Sequence, residues 1–140
     1  MDLEILKIAS NTDNNKVLNN RTHFSKLKNP ICGDEMHVSV KIVKDNIVDF
    51  GYQCKSCVYC QASVSLLSRN AKNKLIENFK NFTRQASNSF ENNTNSFDKE
   101  WKEFGKILNE KNVSRKECLL LPLNTTLDAL NKKSLLISKK

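Results

Sequence analysis

Glycine and proline are scarce in this chain, three and two among 140 residues. Such scarcity excludes collagen-like and low-complexity architectures. No stretch approaches the roughly 18 consecutive apolar residues of a bilayer-spanning helix, so no membrane span is expected. The opening MDLEILKIAS carries acids early and lacks an extended apolar run, which argues against a secretory leader. It also lacks the Arg-rich, acid-poor look of a transit peptide, and a cytoplasmic protein is the expectation. The net charge of +8 is spread thinly. No run of five or six Lys/Arg occurs, and aromatics do not alternate with basic residues, so no nucleic-acid partner is expected.

The rest of the composition is that of a globular chain, 39% hydrophobic and 27% charged. Its length suits one domain spanning residues 1–140, with a modest core. Five cysteines stand out. Cytosolic thiols stay reduced, and an odd, unevenly spaced set fits a disulfide framework poorly. Metal binding or thiol chemistry fits better.

Leu3, Ile5, Leu6 and Ile8 suggest a short N-terminal helix, followed by a polar stretch from Asn11 to Asn20. Lys28 to Glu35 contains Pro30 and Gly33 and reads as a loop. A strand ahead of Asn29 is not clear in the pattern. Val38, Val40 and Ile42 alternate with polar residues and predict a strand. Lys44-Asp45-Asn46 predicts a hairpin turn, and Ile47 to Gln53 a partner strand with Val48, Phe50 and Tyr52 on one face. Ala62, Leu66, Ala71, Leu75, Phe79 and Phe82 then recur at roughly helical intervals, predicting one long helix over 59–82. Arg84 to Thr94 is polar and reads as a mobile connection. Phe97, Trp101, Phe104 and Leu108 predict a second helix, and Leu123, Leu127 and Leu130 a last one before a frayed, Lys-rich end. Strands first and helices after predict an α+β fold, helices covering one face of a small antiparallel sheet.

Cys54, Cys57 and Cys60 lie where the second strand passes into the long helix. A helix start favours negative charge, and hence the thiolate that ligates metals and attacks electrophiles. Cys32 and Asp34 share a Pro-Ile-Cys-Gly-Asp turn and could present a sulfur and a carboxylate oxygen to one metal. Cys118 stands far along the chain, just ahead of the last helix. The plainer reading is that a cysteine is a small buried apolar side chain, and for Cys54 that reading is preferred. Cys-x-x-Cys-x-x-Cys could also be part of a ferredoxin-style motif, but no second group accompanies it. Spacing alone does not choose the ligand among Cys54, Cys57 and Cys60. His37 could approach such a metal, although a half-exposed structural histidine is the simpler reading, and His23 is assigned nothing.

Asn29-Pro-Ile-Cys-Gly-Asp34 resembles the NPxCGD loop of the U-type iron–sulfur scaffolds, the IscU/SufU/NifU N-terminal group. Cys57-Val-Tyr-Cys-Gln-Ala-Ser-Val-Ser65 is similar to that family's second motif, approximately GCAxxQASAS in its SufU branch. Aligning Gln61-Ala62-Ser63-x-Ser65 places the family's second cysteine at Cys57 and leaves Cys60 where the family has a small residue. Ser114-Arg-Lys-Glu-Cys-Leu-Leu-Leu-Pro122 resembles the SufU-type SRxxCAxLP segment and places the third cysteine at Cys118. The resemblance runs from about Lys26 to Leu130 and implies a SufE/NifU-like fold.

It also implies that Cys32, Asp34, Cys57 and Cys118 hold zinc, iron or a transient [2Fe–2S] cluster. Asp34 would tune ligand exchange, Cys118 would accept persulfide sulfur from a cysteine desulfurase, and Arg115 would lie near the site. Apo iron–sulfur proteins or a carrier would be the recipients. The Leu-Pro-Pro-x-Lys tract that engages an Hsp70-class chaperone in IscU-type members is absent ahead of Cys118. Lys111-Asn-Val-Ser-Arg115 stands there instead, and Ser56 replaces the glycine that usually precedes the second cysteine. Cys54 and Cys60 are additions without an implied role.

Three functions follow in order. The first is a non-enzymatic scaffold or sulfur acceptor. Three thiolates hold soft metal ions while the carboxylate leaves one edge labile. The second is an enzyme, a zinc-dependent sulfurtransferase relaying persulfide without building a cluster. The third is a zinc-stapled nucleic-acid-binding domain, favoured only by the charge. The sequence leaves the oligomeric state open.

Overall fold

Alternating apolar residues and a tight turn build the hairpin at the centre of this molecule. A computed structural model of the chain describes residues 3–30, 33–90 and 97–132. In it β2 (Glu35–Val43) and β3 (Asn46–Lys55) pair antiparallel through a two-residue turn. Lys44 and Asp45 both adopt positive φ (50° and 64°), the mirror-image turn whose twist matches that of flanking strands. The strand not evident in the sequence is β1 (His23–Lys28), which pairs antiparallel with β2. With β4 (Lys74–Leu75) it completes a four-stranded sheet in the order β1-β2-β3-β4.

Met36, Val38 and Val40 of β2 and Phe50 and Tyr52 of β3 point to one face and are buried. The expected placement of Val48 beside them is corrected by a bulge. Lys41 lies opposite Asp49 and Ile42 opposite Ile47, so Val48 is an extra residue without a partner. The bulge reverses the alternation. Ile47 turns inward, fully buried, and Val48 outward.

The long helix expected over 59–82 is two helices, α2 (Val58–Asn70) and α3 (Ile76–Asn88). Asn73 interrupts them at φ +69°, a left-handed conformation that asparagine tolerates better than most residues. Its N–H donates to the Ile47 carbonyl at 2.6 Å, and Lys74–Leu75 join the sheet edge beside Asn46 and Ile47. Residues 84–88, expected in a connection, are the last turn of α3, and 91–96 lie outside the described residues. The second expected helix is helical but of the tighter 3-10 kind, Lys99–Lys106 followed by Glu110–Arg115. The last helix, α4 (Lys116–Leu130), begins earlier than its leucine spacing suggests. The Lys-rich end past residue 132 lies outside the described residues.

The helices pack on the apolar face, α4 across β1 and β2, and α2 against β3 and α4. Phe79 and Phe82 of α3 join Trp101 and Phe104 in an aromatic cluster. Phe82 stacks on Trp101 at 4.3 Å between ring centroids and 6° between planes. The predicted N-terminal helix is α1 (Leu3–Ala9), packed on α2. Beyond it, Tyr52 N–H donates to the Asn14 carbonyl, and Leu18 N–H donates to Ser39 Oγ on the opposite face of the sheet. Gly51 permits that crossing, since a Cβ there would stand 2.5 Å from the Lys16 carbonyl oxygen. The α+β expectation, with helices on one face of an antiparallel sheet, holds.

Candidate metal centre

Three chain segments deliver three donor side chains to one point. The loop before β2 is closed by its own backbone. Gly33 N–H donates to the Asn29 carbonyl and Asn29 N–H to the Asp34 carbonyl, both at 2.8 Å. Gly33 sits at φ +78°, where glycine escapes the Cβ penalty. This turn sets Asp34 at the foot of β2. Cys57 is the N-cap of α2, with extended ψ of 167°, and its carbonyl accepts the first helical bond from Gln61 N–H. Cys118 is the third residue of α4.

One carboxylate oxygen of Asp34 and the Sγ atoms of Cys57 and Cys118 all lie within 4.8 Å of one another. Asp34 and Cys118 are buried and Cys57 is half-buried. Asp34 Oδ1 accepts the backbone N–H of Cys57 at 3.2 Å. Its Oδ2 is buried with no hydrogen-bond partner among the described residues. A buried carboxylate oxygen left so is energetically expensive unless a cation completes it. Two thiols and a carboxylate oxygen suit zinc or iron, and the N-termini of α2 and α4 both favour negative charge there. The donor set therefore fits a metal ion or small cluster. Ser63 Oγ donates to the Leu119 carbonyl at 2.6 Å, tying α2 to α4 just behind the donors. Arg115 lies 5.2 Å over the ring of Tyr59, a second clasp between the two helix starts. Sequence reading put Arg115 near the site but missed Tyr59, because nothing in the spacing links residues so far apart.

Of the sequence-predicted ligands, Asp34, Cys57 and Cys118 converge, and Cys32 lies outside the described residues. Cys118 does not precede the last helix as expected. It lies inside its first turn, and most of the segment from Asn109 to Glu117 is a 3-10 helix. Among the described cysteines none forms a disulfide. Cys60 is fully buried in the first turn of α2, and burial pushes its thiol pKa far up. Cys54 is half-buried against the core, and burial likewise raises its pKa. It therefore packs as the apolar residue expected, though incompletely covered. His37 lies on the opposite face of the sheet, 3.6 Å from Glu35 Oε1 and edge-on to Phe24, in the structural role expected of it. Among the described residues it is not part of the donor group.

A family model described as the NifU-like N terminal domain matches residues 2–95. The chain belongs to the NifU-like N-terminal domain family. Its membership confirms the U-type resemblance read from the motifs. Two curated proteins of Archaeoglobus fulgidus, the iron–sulfur cluster assembly scaffold proteins IscU 1 and IscU 2, are each 36% identical to this NifU-like chain over 58 residues. That stretch is 41% of this chain and 38% of each relative, so the match spans well under half of the relatives' length. Among solved structures, the N-terminal part of a nitrogen-fixing NifU-like protein from Brucella abortus superposes with a TM-score of 0.85 at 18% identity. The superposition covers 92% of this chain and 90% of that one. A SUF-system cluster assembly scaffold candidate from Fervidobacterium islandicum AW-1 gives a TM-score of 0.79 at 23% identity, covering 94% and 96%. Both likenesses establish the fold. They also extend past residue 95, where the family match stops short of α4 and Cys118. No helix among the described residues is long and apolar enough to cross a membrane.

Proposed function

We propose that this protein is an iron–sulfur cluster assembly scaffold and sulfur acceptor. It would take sulfur from a cysteine desulfurase, hold a metal ion or nascent [2Fe–2S] cluster as cargo, and pass it to apo iron–sulfur proteins or a carrier. The observation that carries the reading is the convergence of Asp34, Cys57 and Cys118 within 4.8 Å, with a buried carboxylate oxygen turned to no other partner among the described residues. Cys32, two residues before Asp34, is the fourth ligand in this reading. The names of the Archaeoglobus relatives support the same function, and the third motif, Ser114 to Pro122 around Cys118, favours the SufU branch. The protein would act in the cytoplasm, where thiols stay reduced, with residues 1–140 as one domain.

The chemistry is coherent. A site closed by four strong sulfur or nitrogen ligands holds zinc for structure, whereas one oxygen among soft thiolates leaves a position that exchanges. Anaerobic reconstitution with ferrous iron, cysteine and a cysteine desulfurase should yield about one metal ion or small cluster per chain. Metal and sulfide analysis reads the result. A protein that binds zinc and carries persulfide yet never retains iron with sulfide would be a sulfurtransferase, and the scaffold reading would fall.

A further inference from the structure

Cys57 and Cys60 occupy the N-cap and third positions of α2. Ideal helix geometry puts alpha carbons three residues apart at about 5 Å, inside the range of about 4.4–6.8 Å that a disulfide spans. Cys57 makes no side-chain capping bond to the helix, so no such bond holds its thiol away from the first turn that carries Cys60. Their environments differ. Cys57 is half-buried and faces Asp34 and Cys118, whereas Cys60 is fully buried behind it. An accessible thiol at a helix N-cap with a sheltered thiol three residues on is the arrangement of a dithiol–disulfide couple. Among the described residues Cys60 is not part of the donor group, and the related motif has a small residue there.

We propose that Cys57 and Cys60 are a two-electron couple that converts sulfane sulfur to sulfide inside the scaffold. The inference rests on the sulfur-acceptor reading above. Sulfur arriving as a persulfide would be carried on Cys118 Sγ, which lies within 4.8 Å of Cys57 Sγ. The Cys57 thiolate attacks the outer sulfur, which moves to Cys57 and leaves Cys118 as a thiolate. The Cys60 sulfur then attacks Cys57 Sγ. A Cys57–Cys60 disulfide forms, the persulfide bond breaks, and the terminal sulfur leaves as hydrosulfide carrying the proton from Cys60. The sulfane sulfur gains two electrons and the two cysteines supply them. A dithiol reductant, such as a thioredoxin-class protein, then restores both thiols and returns Cys57 to the ligand set. Sulfide would thus be generated beside the metal rather than drawn from solution.

The test uses the full chain under anaerobic conditions and omits added thiols. Inorganic polysulfide serves as the sulfur source, so the result does not depend on any desulfurase. After brief exposure and desalting, the native chain should be lighter by two hydrogens, having released about one sulfide per chain, as a single dithiol requires. Chymotryptic cleavage after Tyr59 should yield peptides linked through Cys57 and Cys60. Cys60→Ser should instead stay heavier by one sulfur and release little sulfide, while Cys54→Ala behaves as the native chain. Equilibration of the unmodified chain in glutathione redox buffers should show a discrete Cys57–Cys60 couple, a readout that sulfur loading does not enter. A native chain that keeps its persulfide, a disulfide joining any other pair, or equal sulfide release from Cys60→Ser would overturn the proposal. If the couple behaves as described but anaerobic reconstitution yields no cluster, the scaffold reading fails and the couple stands.

Discussion

The backbone N–H of Cys57 donates to Oδ1 of Asp34, 23 residues earlier in the chain, and so one ligand holds another in place. One carboxylate oxygen is engaged by the protein, and the other is buried without a partner among the described residues. A hard oxygen donor among thiolates is the weakest bond in the set for a soft metal.

Replacing Asp34 with Ala should therefore leave cluster loading largely intact and slow its release. The cysteine thiolates remain, while the exchangeable oxygen edge is gone. The rate of transfer to an apo-acceptor is the measurement, and a faster rate in the variant would contradict this account.

Cys57→Ser should remove metal binding. A serine hydroxyl is not ionised at neutral pH, and losing a direct ligand should exceed the 10–100-fold effect typical of outer-shell changes, so affinity should fall by about 100-fold or more. Full metal content in this variant would move the ligand to Cys54 or Cys60.

Gly51→Ala probes the fold apart from the site. The new methyl group would stand 2.5 Å from the Lys16 carbonyl oxygen and 3.3 Å from the side chain of Leu18, and backbone cannot yield as a flexible side chain can. Overpacking of this kind destabilises by about 1–3 kcal/mol. Thermal unfolding should show a lowered Tm with metal-binding capacity retained. An unchanged Tm would mean the segment around Lys16 is held less firmly than its contacts suggest.

His23 gives the fold a pH dependence of known sign. Burial lowers its pKa in the folded chain, where Nδ1 lies 2.8 Å from Thr22 Oγ1. The unfolded chain, with an ordinary histidine pKa near ~6.5, then binds more protons, so stability rises with pH. That contribution is complete above about pH 6.5 and is lost as the pH falls below it. His23→Gln should flatten the urea-midpoint profile between about pH 7 and 5. An identical slope in both proteins would place the pH dependence elsewhere.

Much of this was legible in the sequence, and the failures have local causes. Alternation located β2, because strand period is written residue by residue, whereas Cys57 and Cys118 were singled out beside Asp34 only through the resemblance to the family motifs, since spacing left Cys54, Cys57 and Cys60 equal. Val48 misled because a bulge reverses parity without any glycine to announce it. The α2–α3 break was hidden because the apolar spacing continues through Ala71 and Leu75. The interruption depends instead on Asn73 meeting the sheet edge, a tertiary event. The 3-10 character of Lys99–Lys106 was likewise invisible, since Trp101 and Phe104 satisfy a three-residue and a 3.6-residue period equally well.

The last prediction concerns Cys118 as the residue that accepts sulfur. Its position inside α4, only 6% exposed, replaces the expected place just ahead of the last helix. Two irregularities nonetheless flank the turn that carries it. Pro122 stands four residues on and has no N–H to offer the Cys118 carbonyl, so one helical bond is missing there. On the other side Asn112 breaks the 3-10 segment with φ −105° and ψ 19°. A helix start bounded by these two features can open toward a partner and close on the metal. Loading with a cysteine desulfurase and cysteine in the Cys60→Ser background, followed by peptide mass spectrometry, tests the assignment. Cys118→Ala should then accept little sulfur, and Pro122→Ala, which restores the helical bond, should load more slowly than its parent. If Cys118→Ala is loaded as readily as the parent chain, with sulfur found on Cys57, the acceptor is Cys57 and Cys118 is a ligand only.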